Sequence, residues 1–478
     1  MICRKILIAL IPPFLMMGCV PAVEKATPIY ETTVVSDLEK ALAPLDSNDH
    51  VLVRDWWKEF NDPQLNAIMD EALAAAPSLQ SIEARYAQAN TIIESVQSLD
   101  LPHISLDASV KRERFSENHI FPPSLGGSTN TQYQPGLTLA YDFDFWNGRR
   151  SRILAANNSA LAQKASIEAA KIALSSALCG TYLSWNYDEQ RLKRLEALEQ
   201  TTREALNIIM KQHSVGLIDA VAVNDTKSAL LLIKQRSEEL KRSIEGKKEA
   251  LSVLGGFLPS YADRLRIPNI SETFNLPLPK EVMLNMVARR ADVAIAKYTV
   301  LSKSYTIEET KAQFYPNISL SGIIGFTSFN WAKLAERSSY TPSAGIALSL
   351  PLFDWGMRKA ALQHSVSDFN ASVYEYNGVV IKAANEIVML LKQAKRLEAQ
   401  RRFHESEMEA KKANAMIARQ KLKIGLSTKL PYLSARQIVQ EGEIETLSLN
   451  ETARLLQIDL IEALGGGYTD IEDANESR

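Results

Sequence analysis

The residues that could carry chemistry in this sequence are a few carboxylates and histidines, and their spacing forms no known catalytic pattern. Asp142 and Asp144 stand two apart in an alternating segment, which places both side chains on one face of a strand. His404-Glu405 begins a zinc-protease helix motif, but the second histidine of that motif is missing. The six histidines are dispersed, and neither a Cys-x-x-Cys nor a P-loop occurs. We therefore predict that the protein is not an enzyme, holds no metal and needs no cofactor.

The cysteines indicate a different chemistry, which is covalent attachment of lipid. An apolar run at 6–17 is too short to span a bilayer as a helix but suits a signal peptide. Gly18-Cys19 follows it and resembles a bacterial lipobox, in which Cys19 becomes the lipid-modified first residue of the mature chain. Ordinary cleavage near Ala22 is the alternative. We expect Cys179 to be a small buried hydrophobic residue, because no cysteine is left to pair with it.

The composition excludes some classes of protein and restricts others. There are 54 Lys and Arg against 56 Asp and Glu, which gives no basic footprint for nucleic acid. A hydrophobic content of 46% with 23% charged residues is typical of a folded chain. Beyond the signal, no apolar run reaches the roughly 18 residues of a spanning helix. If the protein enters a membrane, it must therefore do so through β-strands.

Long tracts without proline predict unusually long helices. Residues 136–258, 352–430 and 432–478 contain no Pro and are rich in good helix formers. A helix from about Gly148 to Ser214 would be roughly 100 Å long at about 1.5 Å per residue. That length indicates a coiled-coil-like assembly rather than one compact domain. An amphipathic stripe in the second half supports the helices, and its members are Ile387, Leu390, Leu391, Ala394 and Leu397.

Between the helical tracts lie two pairs of segments in which apolar residues alternate with others. They predict strands at about 103–113, 133–145, 317–327 and 342–352. Each is close to the ~9–11 residues that a tilted transmembrane strand needs. A half-buried sheet of a soluble protein is the alternative, since alternation alone does not separate the two.

An internal repeat relates the two pairs of strands. Three matched pairs of segments establish it, namely 102–106 with 316–320, 215–217 with 424–426 and 254–256 with 464–466. Gly216 and Gly425 suit the turns between long helices, because Gly tolerates a positive φ. The predicted organisation is a signal peptide at 1–18, a lipidated segment at 19–55, a first repeat at 56–256, a linker at 257–290, a second repeat at 291–467 and a tail at 468–478.

Four strands per chain cannot close a barrel, and open strand edges are not tolerated in lipid. Chains must therefore pool their strands, and two chains would give eight strands whereas three would give twelve. An eight-stranded barrel is filled by its own side chains, so an open conduit favours three or more chains. This argument does not choose between three and four.

Several motifs in the same order resemble the TolC/OprM family of outer-membrane factors, and in particular its lipoprotein branch. They are Trp56-Trp57-Lys58-Glu59-Phe60-Asn61-Asp62-Pro63-Gln64-Leu65, Ala288-Arg289-Arg290-Ala291-Asp292-Val293, Pro351-Leu352-Phe353-Asp354 and Ala463-Leu464-Gly465-Gly466-Gly467-Tyr468. The resemblance extends from about Trp56 to Tyr468. Two departures are Ala291, where the family usually has Pro, and Asn147, which is inserted into the usual Trp-Gly motif.

The resemblance implies an α+β membrane protein of TolC-like fold, in which a trimeric twelve-stranded transmembrane β-barrel continues into a long periplasmic α-helical barrel. It implies a lipid-anchored outer-membrane channel that exports drugs or other small molecules together with a periplasmic adaptor and an inner-membrane pump. The outer-membrane component of type I protein secretion shares every feature and stays open. Residues 114–132 and 327–341 would be extracellular loops, and Trp146 and Trp355 would lie at the membrane interface or pack locally.

The resemblance also implies where the channel is gated and docked. The apolar gate position falls on Leu430, while the usual gate Asp and Arg fall on Ser434 and Gln437. Asp225 takes the matching position in the first repeat. For Leu430 a place in a coiled-coil core is the alternative, and for Asp225 a solvated helix surface. The adaptor-docking residues would be Val215, Gly216, Leu217, Ile424, Gly425 and Leu426.

Overall fold

A computed structural model describes residues 25–27, 54–118, 122, 124, 126–270, 287 and 289–468. The described chain divides into two compact units. The described residues within 1–28, 85–163 and 296–376 form the sheet unit, and those within 29–84, 164–295 and 377–478 form the helical unit. The predicted signal peptide, most of the predicted lipidated segment 19–55 and the predicted tail after 468 lie outside the described residues.

Long helices account for most of the chain. They are α1 (Pro63–Ala75), α2 (Pro77–Ser98), α3 (Gly148–Ser214), α4 (Ala220–Gly255), α5 (Ala291–Ala312), α6 (Met357–Lys423) and α7 (Lys429–Ala463). The two longest, α3 and α6, have 67 residues each, so each is about 100 Å long. The helix predicted from Gly148 to Ser214 is confirmed. None of the described helices combines the length and the apolar content needed to cross a membrane.

The long helices α3 and α6 begin behind aspartates that occupy similar places in the two repeats. Asp144 Oδ2 accepts a hydrogen bond from the Arg150 N–H at 3.0 Å. Asp354 accepts from the backbone N–H groups of Gly356 and Arg358, both at 3.0 Å. Carboxylates at this end satisfy N–H groups that have no partner within the helix and interact favourably with its dipole. Local sequence therefore decides where both helices begin.

The sheet unit contains one four-stranded antiparallel sheet in the order β1-β2-β3-β4. Its strands are β1 (His103–Arg114), β2 (Thr129–Phe143), β3 (Asn317–Phe326) and β4 (Tyr340–Ser349). The sheet thus joins the strand pair of the first repeat to that of the second through β2 and β3. Strands β1 and β4 each pair on one side only within the described sheet, and every residue of β4 is exposed.

Two strands, β2 and β4, have boundaries that differ from the prediction. Strand β2 begins at Thr129 rather than 133, because residues 129–132 pair with the end of β1 as far as Arg114. It ends at Phe143 rather than 145, because Asp144 turns to bond the first turn of α3. Strand β4 is displaced toward the N-terminus, to 340–349, where it stays in register with β3. The predicted loops 114–132 and 327–341 are correspondingly shorter.

The core of the helical unit is built around the motif that begins at Trp56. Trp56 and Phe60 are buried, together with apolar residues of α1, α3, α4 and α7. Asp62 Oδ2 accepts hydrogen bonds from the Tyr182 hydroxyl at 2.9 Å and from the Asn269 N–H at 3.2 Å. Its other oxygen accepts from the Gln64 N–H at 2.8 Å and caps α1. The buried carboxylate of Asp62 therefore connects α1, α3 and the linker at 257–290.

Candidate functional site: the two tip turns

The first tip, residues 215–219, joins α3 to α4 through a glycine in the left-handed conformation. Gly216 has φ of 78°. The N–H groups of Gly216 and Leu217 donate to carbonyls in the last turn of α3, each at 2.9 Å. This pair of bonds is a Schellman ending, which requires a positive φ and therefore favours Gly. The Asp219 carboxylate then accepts from the Ala222 N–H at 3.1 Å and caps α4.

The second tip, residues 424–428, joins α6 to α7 in the same way. Gly425 has φ of 77°, and its N–H donates to the Leu422 carbonyl at 3.1 Å. The Leu426 N–H donates to the Lys421 carbonyl at 2.9 Å. The two halves of the chain therefore end their longest helix with the same backbone geometry.

Apolar side chains at both tips lie in solvent in the single chain. They are between 68% and 75% exposed, and they are Val215, Leu217, Ile424 and Leu426. Exposed apolar side chains that cluster in this way mark surfaces on which another molecule packs. Both tips therefore have the composition of an interface.

The start of α7 is bound to the last third of α3. The Gln437 amide Nε2 donates to the Thr202 hydroxyl at 2.8 Å, and Thr202 is buried. Lys429 forms an ion pair with Glu204. Between these contacts the side chain of Leu433 is fully buried. The helix that follows the second tip is thus packed against α3 of its own chain.

Comparison with known proteins decides the family. The sequence family described as outer membrane efflux protein matches residues 68–256 and 284–466, one range in each half of the chain. Together the two ranges cover well over half of the sequence. The chain belongs to the outer membrane efflux protein family.

Named relatives of this efflux-family chain are multidrug resistance proteins of the outer membrane. The multidrug resistance outer membrane protein MdtQ of Escherichia coli O6:H1 is 25% identical over 484 residues, which cover 96% of this chain and 98% of the relative. MdtP of Escherichia coli K12 is 25% identical and is matched over 86% of both chains. The outer membrane is therefore the location of this family member.

Solved structures of outer membrane channels share its fold. The Campylobacter jejuni CmeC outer membrane channel superposes with a TM-score of 0.83 over 96% of both chains, at 22% identity. The outer membrane protein VceC of Vibrio cholerae superposes with a TM-score of 0.79 over 87% of this chain and 99% of VceC, at 26% identity. The TolC-like fold inferred from the sequence motifs is confirmed.

The efflux-family gate positions lie in different environments in the single chain. Leu430 is half-buried at the start of α7, and Ser434 is exposed one turn later. Gln437 is hydrogen bonded to Thr202, so its amide is occupied within the subunit. Asp225 is exposed on α4 and forms no ion pair with any described residue. The structure places Gln437 against α3, but no hydrogen bond or ion pair links the four predicted gate positions within the described chain. Their role in a gate stays a prediction.

The cysteines divide between the described and the undescribed parts of this efflux-family chain. Cys19 lies outside the described residues, so its lipidation stays a prediction. Cys179 is fully buried on α3, as predicted, and burial raises the pKa of its thiol well above the ordinary value. A buried, protonated thiol is an inert core residue.

A buried ion cluster in the helical unit was not anticipated from the sequence. Asp188 on α3 accepts from Arg191 and from Lys247 of α4, each at 2.5 Å, and from Ser243 at 2.7 Å. Arg191 also pairs with Glu451 of α7 at 2.6 Å. Burial alone would raise the pKa of Asp188, but the hydrogen bonds from Lys247, Ser243 and Arg191 hold it below its ordinary value. Only the Asp188–Arg191 spacing was visible in the sequence, because the other partners are distant along the chain.

The histidine that resembled part of a zinc motif has a packing role. His404 of α6 is buried, and its Nε2 lies 2.9 Å from the Thr446 hydroxyl and 3.2 Å from the Gly442 carbonyl of α7. Within the described ranges, no three His, Cys, Asp or Glu side chains converge in a way that could hold a metal ion.

Proposed function

We propose that this efflux-family chain is the outer-membrane channel of a tripartite efflux system and exports drugs or other small molecules to the cell exterior. The family match in both halves of the chain carries the proposal. Relatives named multidrug resistance outer membrane proteins favour efflux over protein secretion. Helices about 100 Å long supply the length that a duct across the periplasm needs.

The working channel is a homotrimer in this proposal. Strands β1 and β4 leave an open edge on each side of the sheet, and an open edge in lipid leaves backbone groups without hydrogen bonds. Pairing β4 of one copy with β1 of the next removes every edge, and three copies supply twelve strands. A barrel of that size has room for an aqueous lumen, whereas eight strands would fill with side chains.

The tips are the docking and gating end of the proposed channel. The exposed apolar residues of the first and second tips would pack on a periplasmic adaptor protein, which in turn connects the channel to an inner-membrane pump. Leu430 of three copies would form an apolar ring that resists wetting. The contacts of Lys429 and Gln437 with α3 would then hold the start of α7 in place within each copy.

A lipid on Cys19 completes the proposal and anchors each copy in the outer membrane. Metabolic labelling with a fatty acid tests it directly, because Cys19→Ala should abolish incorporation while Cys179→Ala should leave it unchanged. Equal incorporation by the wild type and by Cys19→Ala would contradict lipidation of Cys19.

Drug tolerance in a host that lacks its own outer-membrane efflux channels tests the function. Co-expression of the chain with its adaptor and pump should restore tolerance, and failure to do so would contradict the efflux function.

Leu426→Glu should abolish the restored tolerance while the trimer still reaches the outer membrane, and Leu426→Met is the matched control that keeps the apolar side chain. Undiminished tolerance with Leu426→Glu would contradict docking at the second tip. Restored export of a protein without drug tolerance would indicate type I secretion.

A further inference from the structure

The second tip lies in a stretch of sequence that contains basic residues and no acid. Residues 411–436 include seven Lys or Arg and neither Asp nor Glu. The seven are Lys411, Lys412, Arg419, Lys421, Lys423, Lys429 and Arg436. The corresponding residues of the first repeat, 202–227, contain three basic and three acidic residues. The two tips share a backbone geometry but differ in charge.

Five of these seven cations have no ion-pair partner among the described residues. Lys411 pairs with Glu407 at 2.8 Å and Lys429 pairs with Glu204. The other five are exposed, and none of them has a carboxylate within 4.0 Å among the residues that the structure describes. Five of the seven cations around the second tip are therefore without an ion-pair partner in the described part of the chain.

The ordinary explanation for cations at a helix end covers only part of this set. Lys421 and Lys423 lie in the last turn of α6, where a positive charge interacts favourably with the helix dipole. Lys412 lies about three turns before that end, and Arg436 lies in the third turn of α7, so the dipole gives no reason for either. The basic character extends along both helices of the second tip.

We infer that the second tip forms a basic entrance that favours anions, so that the compounds exported carry carboxylate, phosphate or sulfonate groups. The inference rests on the proposed channel function, in which solutes enter past the tips. Rings of Lys and Arg give pores a preference for anions, and repetition in three copies would form such rings. Charges within about 8 Å act together at physiological salt, a distance close to one and a half turns of helix.

The gate segment does not offset this charge. Ser434 stands where the family resemblance implies an acid, and the first carboxylate of α7 is Glu441. Asp225 on α4 is the acid of the first repeat at the matching position. The gate segment of α7, residues 430–437, therefore carries no acid of its own, and the acid at the matching position lies in the first repeat.

Ion selectivity of the full-length trimer in planar bilayers tests the inference. With a KCl gradient across the bilayer, the reversal potential should show that chloride permeates more readily than potassium. In water, a unit charge about 8 Å from a permeating ion changes its local concentration about twofold, so Lys421→Glu with Lys423→Glu should lower the chloride-to-potassium permeability ratio severalfold. Lys421→Gln with Lys423→Gln should give a smaller shift in the same direction.

Two control pairs isolate the charge and its place. Lys421→Arg with Lys423→Arg keeps the charge and should keep the wild-type ratio. Lys392→Glu with Lys395→Glu places the same reversal on exposed positions of α6 about 40 Å from the second tip, several screening lengths away, and should change the ratio little.

The outcomes distinguish a failure of the anionic-entrance inference from a failure of the proposed channel function. A wild-type channel that conducts with a preference for potassium, or a ratio that the Lys421→Glu and Lys423→Glu reversals leave unchanged, overturns the anionic entrance and leaves the channel intact. An unchanged ratio would indicate that these cations have another role, such as binding to an acidic surface of a partner protein. A trimer that never conducts would contradict the channel function itself.

Discussion

Replacement of Asp188 by Asn is expected to loosen the helical unit where α3, α4 and α7 meet. The Asp188 carboxylate accepts from Arg191, Lys247 and Ser243, and the residue is 2% exposed. An asparagine at this position would lose the negative charge. Its amide NH2 group would also stand where a carboxylate oxygen now accepts hydrogen bonds, so that donor would meet donor. Breaking a buried ion pair costs about 3–5 kcal/mol. Because Arg191 keeps Glu451 and Lys247 reaches solvent, the lower end applies, about 3 kcal/mol or roughly a hundredfold in the local opening equilibrium.

Hydrogen–deuterium exchange followed by mass spectrometry measures this opening on the detergent-solubilised trimer. Backbone amides of α4 around Ser243 and Lys247 should exchange about a hundredfold faster in Asp188→Asn. Glu238→Gln is the matched control on the same helix, because it removes an exposed ion pair with Lys241 and should leave exchange unchanged. Equal exchange in Asp188→Asn and the wild type would refute the view that the buried cluster joins the three helices.

The stabilising effect of the Asp188 carboxylate should depend on pH. Its pKa is lower in the folded chain than its ordinary value of 3.8, so its stabilising effect is present at neutral pH and is lost as the pH falls through the folded pKa. The difference in melting temperature between the wild type and Asp188→Asn should therefore be constant near neutral pH and shrink below about pH 4. A difference that stays constant down to pH 3 would contradict the assignment.

Two substitutions and one labelling experiment probe the core, the second tip and the buried thiol. Ile68→Ala should destabilise the helical unit by about 2–5 kcal/mol and lower the melting temperature, because Ile68 is 1% exposed. Gly425→Ala should loosen the end of α6 by about 1–2 kcal/mol, visible as faster amide exchange there. Beyond Gly425 and its two chain neighbours, no described heavy atom lies within 4 Å of the added Cβ, so the positive φ is what resists the change. Cys179 should resist maleimide in the native trimer and react after unfolding; labelling of the native protein would show that α3 opens.

Much of the fold was predictable because its signals are local. The limits of α3 follow from a tract without proline, an aspartate before its start and Gly216 after its end. The four strands followed from alternation, and the repeat placed them in pairs. The positions of both tip turns followed from Gly216 and Gly425, because a Schellman ending needs a residue that tolerates a positive φ.

The tertiary structure decided what depends on partners far apart in the sequence. Residues 129–132 are strand because β1 extends far enough to pair with them, which alternation within β2 alone could not show. Gln437 was predicted as a gate residue, and its packing partner Thr202 is supplied by a helix 235 positions away. The Asp188 cluster draws on three helices for the same reason, since a buried charge takes whichever donors the packing of those helices brings to it.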